Sequence, residues 1–226
     1  TKKITDAQAE KVSAETFGNI INVTRKMIIN DDLAGFTRLS AMLGRAAARS
    51  IEIDAYALLA SNPTMSDGVA LFHADHKNLV TGSVMSVNSF DELRTKMATQ
   101  MDKDSNDFLD MRPSVLLCGI SKGGEAKVIN DAQYDPDTAN KMQRPNKVRG
   151  LFSDIVDTPR IAGNEYYAFA DPNQEPVVEV NFLNGNQTPF MESQDGFTVD
   201  GVKWKVRHDY GVGAVGWRGA VKNPGA

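Results

Sequence analysis

A chain of 226 residues with 41% hydrophobic and 24% charged residues has the material for one large domain or two small ones. Its formal charge of -4 argues against the basic stripe of a dedicated nucleic-acid binder, and its single cysteine, Cys118, excludes an intrachain disulfide and a cysteine-based zinc site. No apolar run approaches the length of a membrane-spanning helix, and no signal-peptide pattern opens the sequence as it stands. It starts at Thr1 rather than Met, as expected of a cut precursor or of a portion of a longer chain.

Residues 1–9 are polar and read as an arm or loop. Two loosely alternating runs between Glu10 and Arg25, divided at Phe17-Gly18-Asn19, predict a polar hairpin with a Gly-Asn turn. Asp31-Asp32 offer a cap and negative charge where a helix begins. Leu33, Phe36, Leu39, Leu43, Ala46, Ala47, Ala55, Leu58 and Leu59 then predict a helix over Leu33–Ala60 that Asn62-Pro63 ends. Such a helix rises about 42 Å at 1.5 Å per residue, long for so small a chain. A polar hairpin and a long helix expose surface that other subunits would have to cover.

Residues 63–87 read as loop. Ser89 and Glu92 predict a capping box for a helix through Leu93, Met97 and Met101 to about Lys103. Pro113–Cys118 reads as a buried strand with an inert thiol, and a short helix containing Ala126, Val128 and Ile129 begins near Ser121. A polar loop spans 131–147, and strands are expected near Leu151–Asp157, Tyr166–Ala170 and Val177–Phe182. The Asp200-Gly201 turn predicts a hairpin from Thr198-Val199 to Val202–Arg207, and Gly213–Val221 a last strand anchored by Trp217.

Four groups carry candidate chemistry. His73, Asp75 and His76 form H-A-D-H, imidazole and carboxylate ligands suited to zinc or iron, with His208 available to join them. The alternative is a loop whose side chains bond its own backbone. Ser121-Lys122-Gly123-Gly124 opens a helix as a phosphate loop would, but it lacks the G-x-x-x-x-G-K-[ST] spacing and reads better as a tight turn. Trp204 and Trp217 beside Lys203, Lys205 and Arg207 suit base stacking, or a half-buried strand with a charged outer face, which the net acidity favours. No G-x-S-x-G supports a nucleophile, so no enzyme and no cofactor are expected.

The segments TFGNIINVTRKMIINDDLAGFTRL (16–39), LGRAAARSIEIDAYALLASNP (43–63), GVALFHADHKNL (68–79), MRPSVLLC (111–118) and DGFTVDGVKWKVRHDYGVGAVGWRGAVKNPGA (195–226) resemble, in order and over nearly the whole chain, the Hong Kong 97-type major capsid proteins of tailed phages, and among them the Mu-like prophage major head subunit group. The resemblance implies an α+β fold. Residues 1–32 would be an N-terminal arm and extended hairpin loop, and 33–87 a peripheral domain with the spine helix. Residues 88–175 would be an axial domain, and 176–226 a β-rich return to the peripheral domain. It implies a structural subunit of pentamers and hexamers in an icosahedral head. The head would be built in the host cytoplasm with portal, scaffold and maturation protease. It would enclose double-stranded DNA without sequence-specific binding and without a membrane. Lys11, Phe17, Asn19, Arg25, Arg45, Arg49 and Glu52 are the expected assembly surface. A nanocompartment or gene-transfer particle of the same fold is the nearest alternative, and a metal-dependent enzyme at His73, Asp75 and His76 a more distant one.

Overall fold

The computed structural model describes residues 10–30, 34–102, 105–136, 144–196 and 200–226. In chain order the elements are β1 (Glu15–Thr24), α1 (Arg25–Asn30), α2 (Ala34–Ser61), α3 (Val87–Ala98), β2 (Pro113–Gly119) and α4 (Gly123–Asp131). After them come β3 (Asp154–Thr158), β4 (Tyr166–Ala170), β5 (Val178–Phe182), β6 (Phe190–Asp195), β7 (Gly201–Ala214) and β8 (Ala220–Asn223). They divide into two units, one with Glu10, Leu59–Val178 and Ala214–Ala226, the other with Lys11–Leu58 and Glu179–Gly213.

In the first unit the apolar runs VLLC and YYAFA form the middle of a sheet ordered β3-β2-β4-β8. β2 runs parallel to β3 and antiparallel to β4, and β8 is antiparallel to β4. The parallel pair needs a long crossover, which contains α4. Phe90, Leu93 and Met97 of α3 pack with Leu116, Cys118, Ala126, Tyr166 and Val221 in one buried cluster. Phe90 meets Phe152 edge-on at 5.2 Å.

The cap of α3 differs from expectation. Ser86, not Ser89, is the N-cap: Ser89 N donates to Ser86 Oγ at 3.1 Å, and Ser86 N donates to Ser89 Oγ at 2.9 Å. The helix thereby gains Val87 and Phe90 as the start of its buried stripe. It stops at Ala98 rather than near Lys103 because Gln100 and Met101 pair instead across the following loop, with Leu109 N donating to Gln100 O at 2.9 Å and Met101 bridging Phe108.

In the second unit β7 is the central strand. It pairs antiparallel with β1 over ten positions, from Glu15↔Tyr210 to Thr24↔Gly201, and with β6 from Phe190↔Arg207 to Asp195↔Val202; β5 also joins it. The hairpin expected at Phe17-Gly18-Asn19 is therefore corrected: residues 15–24 are one continuous strand. Gly18 is in the strand for close approach, since a Cβ there would stand 2.9 Å from Val206 O. The strand it pairs with, β7, is distant in sequence, which the local Gly-Asn signal cannot reveal. Arg25, read as part of a returning strand, opens α1.

The hairpin that does form joins β6 to β7, with Gly196 N donating to Gly201 O at 2.8 Å; Thr198 and Val199, read as its first strand, lie outside the described residues, as do the 1–9 arm and Asp31-Asp32. The long helix is present as α2, 28 residues, continuous through Gly35 and Gly44. Asn62 ends it with φ at +48° and clamps Phe72 through Phe72 N→Asn62 Oδ1 at 2.7 Å. The expected last strand over Gly213–Val221 is interrupted: β7 ends at Ala214, and β8 begins at Ala220 in the other sheet, with Trp217 in the connection.

Candidate assembly surfaces

The H-A-D-H residues do not converge. His76 is buried; its Nε2 lies 2.8 Å from Asp67 Oδ2, its Nδ1 3.2 Å from Leu71 O, and its ring lies flat on Trp217 at 4.2 Å. Burial works against ionising Asp67, but the His76 hydrogen bond and Val69 N hold its carboxyl below the ordinary value. His73 turns to Asp75 at 3.3 Å on the exposed side. His208 belongs to the second unit. Among the described residues no group of three His, Cys, Asp or Glu side chains stands where it could hold a metal ion. The cluster fastens its loop: the Arg218 guanidinium lies 4.2 Å over Trp217, and Gln100 donates to His76 O at 3.0 Å.

The other chemical candidates take their structural readings. Burial pushes the Cys118 thiol up to about 11, so it is an inert core group. Lys122 N donates to Gly119 O at 2.8 Å in a tight turn, and a Cβ at Gly123 would collide with the Asp157 carboxylate, which leaves no cradle for a phosphate. Trp204 on β7 and Trp217 after it belong to different units and share no strand face. No helix among the described residues is long and apolar enough to cross a membrane.

The surface residues tell more. Lys11, Phe17, Asn19, Arg25, Arg45, Arg49 and Glu52 all fall in the second unit, and all are exposed. Arg25 pairs loosely with Asp200 at 3.4 Å, and Phe17 stacks on Tyr210 at 4.6 Å while keeping 41% of its surface exposed. Around them lie apolar side chains that the sequence reading passed over: Ile20 at 60% exposed, Met42 at 56%, Ile53 at 45% and Phe190 at 49%. Every residue of β6 is exposed. The legible signal was the polar alternation of β1 and β6, strands with too little apolar surface to bury both faces. Tyr210, on β7, ties to α2 through Asp54, and burial followed by that hydrogen bond raises its phenol. Beside it His208 is buried between Phe182 and Tyr210 with neither ring nitrogen partnered, against a groove of about 280 Å³ lined by Phe17, Leu43, Ala47 and Tyr210.

Comparison with known proteins follows this geometry. A family model described as phage capsid protein matches residues 8–223. A search of curated proteins returns no match. Among solved structures, a phage-related protein from Bordetella bronchiseptica RB50 superposes with a TM-score of 0.59 at 14% identity, covering 99% of this chain and 80% of its own. The capsid of cyanophage P-SCSP1u superposes with a TM-score of 0.54 at 12% identity, covering 100% of this chain and 78% of its own. The holo-SrpI encapsulin of Synechococcus elongatus PCC 7942 superposes with a TM-score of 0.51 at 9% identity, covering 93% and 73%. At such identities these likenesses speak for the fold alone, a mixed helix-and-sheet fold shared with phage capsids. The match of the family model from residue 8 to residue 223 carries the assignment further: this chain belongs to the phage capsid protein family, structural proteins of the phage head that assemble into multimeric shells.

Proposed function

We propose that the chain is the major capsid subunit of a Hong Kong 97-type, Mu-like tailed phage or prophage, assembling as pentamers and hexamers into an icosahedral head around double-stranded DNA. The observation that carries the reading, within the capsid family, is the second unit's unburied apolar surface at Phe17, Ile20, Met42, Ile53 and Phe190. One molecule leaves that surface in water, and a shell of copies removes it. Lys11, Phe17, Asn19, Arg25, Arg45, Arg49 and Glu52 share this unit and form the contact surface.

In this reading residues 1–32 are the arm and extended loop, 33–87 with 176–226 the peripheral domain, and 88–175 the axial domain. Support comes from α2 up to Leu58 sharing one unit with β6 and most of β5 and β7, and from α3, β2, α4, β3 and β4 sharing the other; residues 59–87 and 214–226 fall with the second group. Assembly takes place in the host cytoplasm with portal, scaffold and maturation protease. The acidic balance of -4 suits a wall that does not grip its DNA.

Expression of the chain with its scaffold and protease, followed by electron microscopy, tests this. Closed shells with five-fold and six-fold rings are expected. A monomer that stays monodisperse at high concentration overturns it. The encapsulin likeness favours a second reading, a compartment with protein cargo. Nuclease-protected double-stranded DNA inside the shells supports the head; a cargo protein in its place supports the compartment.

A further inference from the structure

Between β5 and β6 the chain reads L-N-G-N-Q-T-P-F, residues 183–190. Asn184 at φ +55° and Gly185 at φ +73° are both left-handed, a conformation that Asn and Gly adopt at the least cost. Asn186 N donates to Leu183 O at 3.2 Å and closes the turn. The turn and the residues after it border a hollow of about 410 Å³, walled on its other side by Arg207, His208 and Asp209 of β7. All of these residues lie within the second unit. The size falls within the range of small-molecule sites, about 300–1,000 Å³.

The hollow is rich in hydrogen-bonding groups that the chain leaves unused. The side chains of Asn184, Asn186 and Thr188 make no hydrogen bond among the described residues. In the wall, His208 is buried with neither ring nitrogen partnered, a state in which buried polar groups are rarely left.

The charges cancel. Arg207 Nε stands 3.3 Å from Asp209 Oδ2, so the wall holds one cation and one carboxylate, already paired. An anion would compete with Asp209 for the guanidinium, and a cation with Arg207 for the carboxylate. Carboxamide and hydroxyl groups can both donate and accept, which suits a ligand whose own groups do both. Phe190 adds an apolar ring, 49% exposed. A neutral body edged with hydroxyls and faced with C–H groups matches this lining, and that is the make-up of a sugar ring.

We propose that this hollow binds a neutral saccharide. Its hydroxyls meet Asn184, Asn186, Thr188 and the Arg207–Asp209 pair, and a C–H face lies against Phe190. The site does not depend on the shell reading. Phe190 also belongs to the apolar surface assigned above to neighbouring copies, so the measurement is made on the unassembled subunit.

Titration of the full chain with maltose, lactose and N,N′-diacetylchitobiose tests it, with inorganic phosphate and adenosine as the anionic and the flat aromatic alternatives. At least one sugar is expected to bind with a Kd of about 1–10 mM. It should shift the amide resonances of residues 183–191 and 207–209. Asn186→Ala and Thr188→Ala, which remove side chains that bond nothing in the chain, are each expected to weaken that sugar about three- to tenfold. Phe190→Ala should act in the same direction, and Gln194→Ala, on β6 outside the hollow, should change nothing. Three sugars that fail to bind, shifts confined to other residues, or Asn186→Ala and Thr188→Ala variants that bind like the wild type overturn the site. So does phosphate or adenosine binding there more tightly than every sugar.

Discussion

In the unit built on β2 and β4, Phe90, Leu93, Leu116 and Tyr166 have no exposed surface, whereas in the unit built on β7 the strands beside it leave Ile20 60% and Phe190 49% in water. Both are four-stranded sheets. The difference lies in what lines them. β2 and β4 are apolar on both faces, one covered by α3 and α4 and the other meeting Phe72 at Tyr167; β1 and β6, with Asn19, Asn22, Glu192 and Gln194, are not. Among the described residues β1 pairs only with β7, which leaves one edge open. One unit encloses its own core, and the other leaves apolar side chains of its strands in water.

The largest test of that contrast is Phe90→Ala. Emptying a wholly enclosed ring costs about 3–5 kcal/mol and should destabilise the isolated subunit in chemical denaturation. A loss below about 1 kcal/mol would mean that this core is looser than its burial indicates.

His208→Phe comes next and has the opposite sign. Both nitrogens of His208 are buried without a partner, so an apolar ring of similar shape should stabilise the unassembled second unit by about 1–2 kcal/mol. Thermal melting of the subunit reads it, and a destabilised variant would mean that the imidazole has a hydrogen bond in solution.

Asp91→Asn is smaller and depends on pH. Lys147, at 2.7 Å, and then Arg94 outweigh burial and hold Asp91 below its ordinary 3.8. A depressed carboxyl stabilises the fold above its unfolded value and loses that contribution as the pH falls through the lower folded value. The variant should therefore lose about 0.5–1 kcal/mol at pH 7 and converge with the wild type in strong acid, once Asp91 is protonated in the folded state as well. A difference that persists in acid would place the effect in packing and not in charge.

Ile20→Ser is the smallest. Replacing an exposed side chain on the open strand should move subunit stability by no more than about 0.5 kcal/mol, yet lower shell yield in sedimentation. If it leaves assembly untouched, β1 is not among the surfaces that copies cover.

Much of this was legible in the sequence, and the misses share a cause. α2 announced itself by apolar spacing, β2 and β4 by unbroken apolar runs, and α4 by its short stripe, all local signals. The hairpin at Gly18-Asn19 failed because β1 pairs with β7, whose register with it is set some 190 residues away in sequence and is invisible to a turn rule. The break at Trp217 failed for a similar reason: the tryptophan is held by His76, a loop residue far up the chain. The exposed surface of the second unit was half legible. The charges on α2 are legible, but Met42 and Ile53 fall outside the apolar stripe that the spacing marks, and the sequence reading passes over them.

The stack of His76, Trp217 and Arg218 has a practical consequence. The chain has two tryptophans, Trp217 pressed between an imidazole and a guanidinium in one unit and Trp204 half-buried on β7 in the other. An indole sandwiched in that way is dim and brightens when its neighbours let go, while its counterpart shifts colour as water leaves or reaches it. Single-tryptophan versions would make each half of the molecule its own lamp, so that unfolding of one half and burial of the other could be followed in the same cuvette.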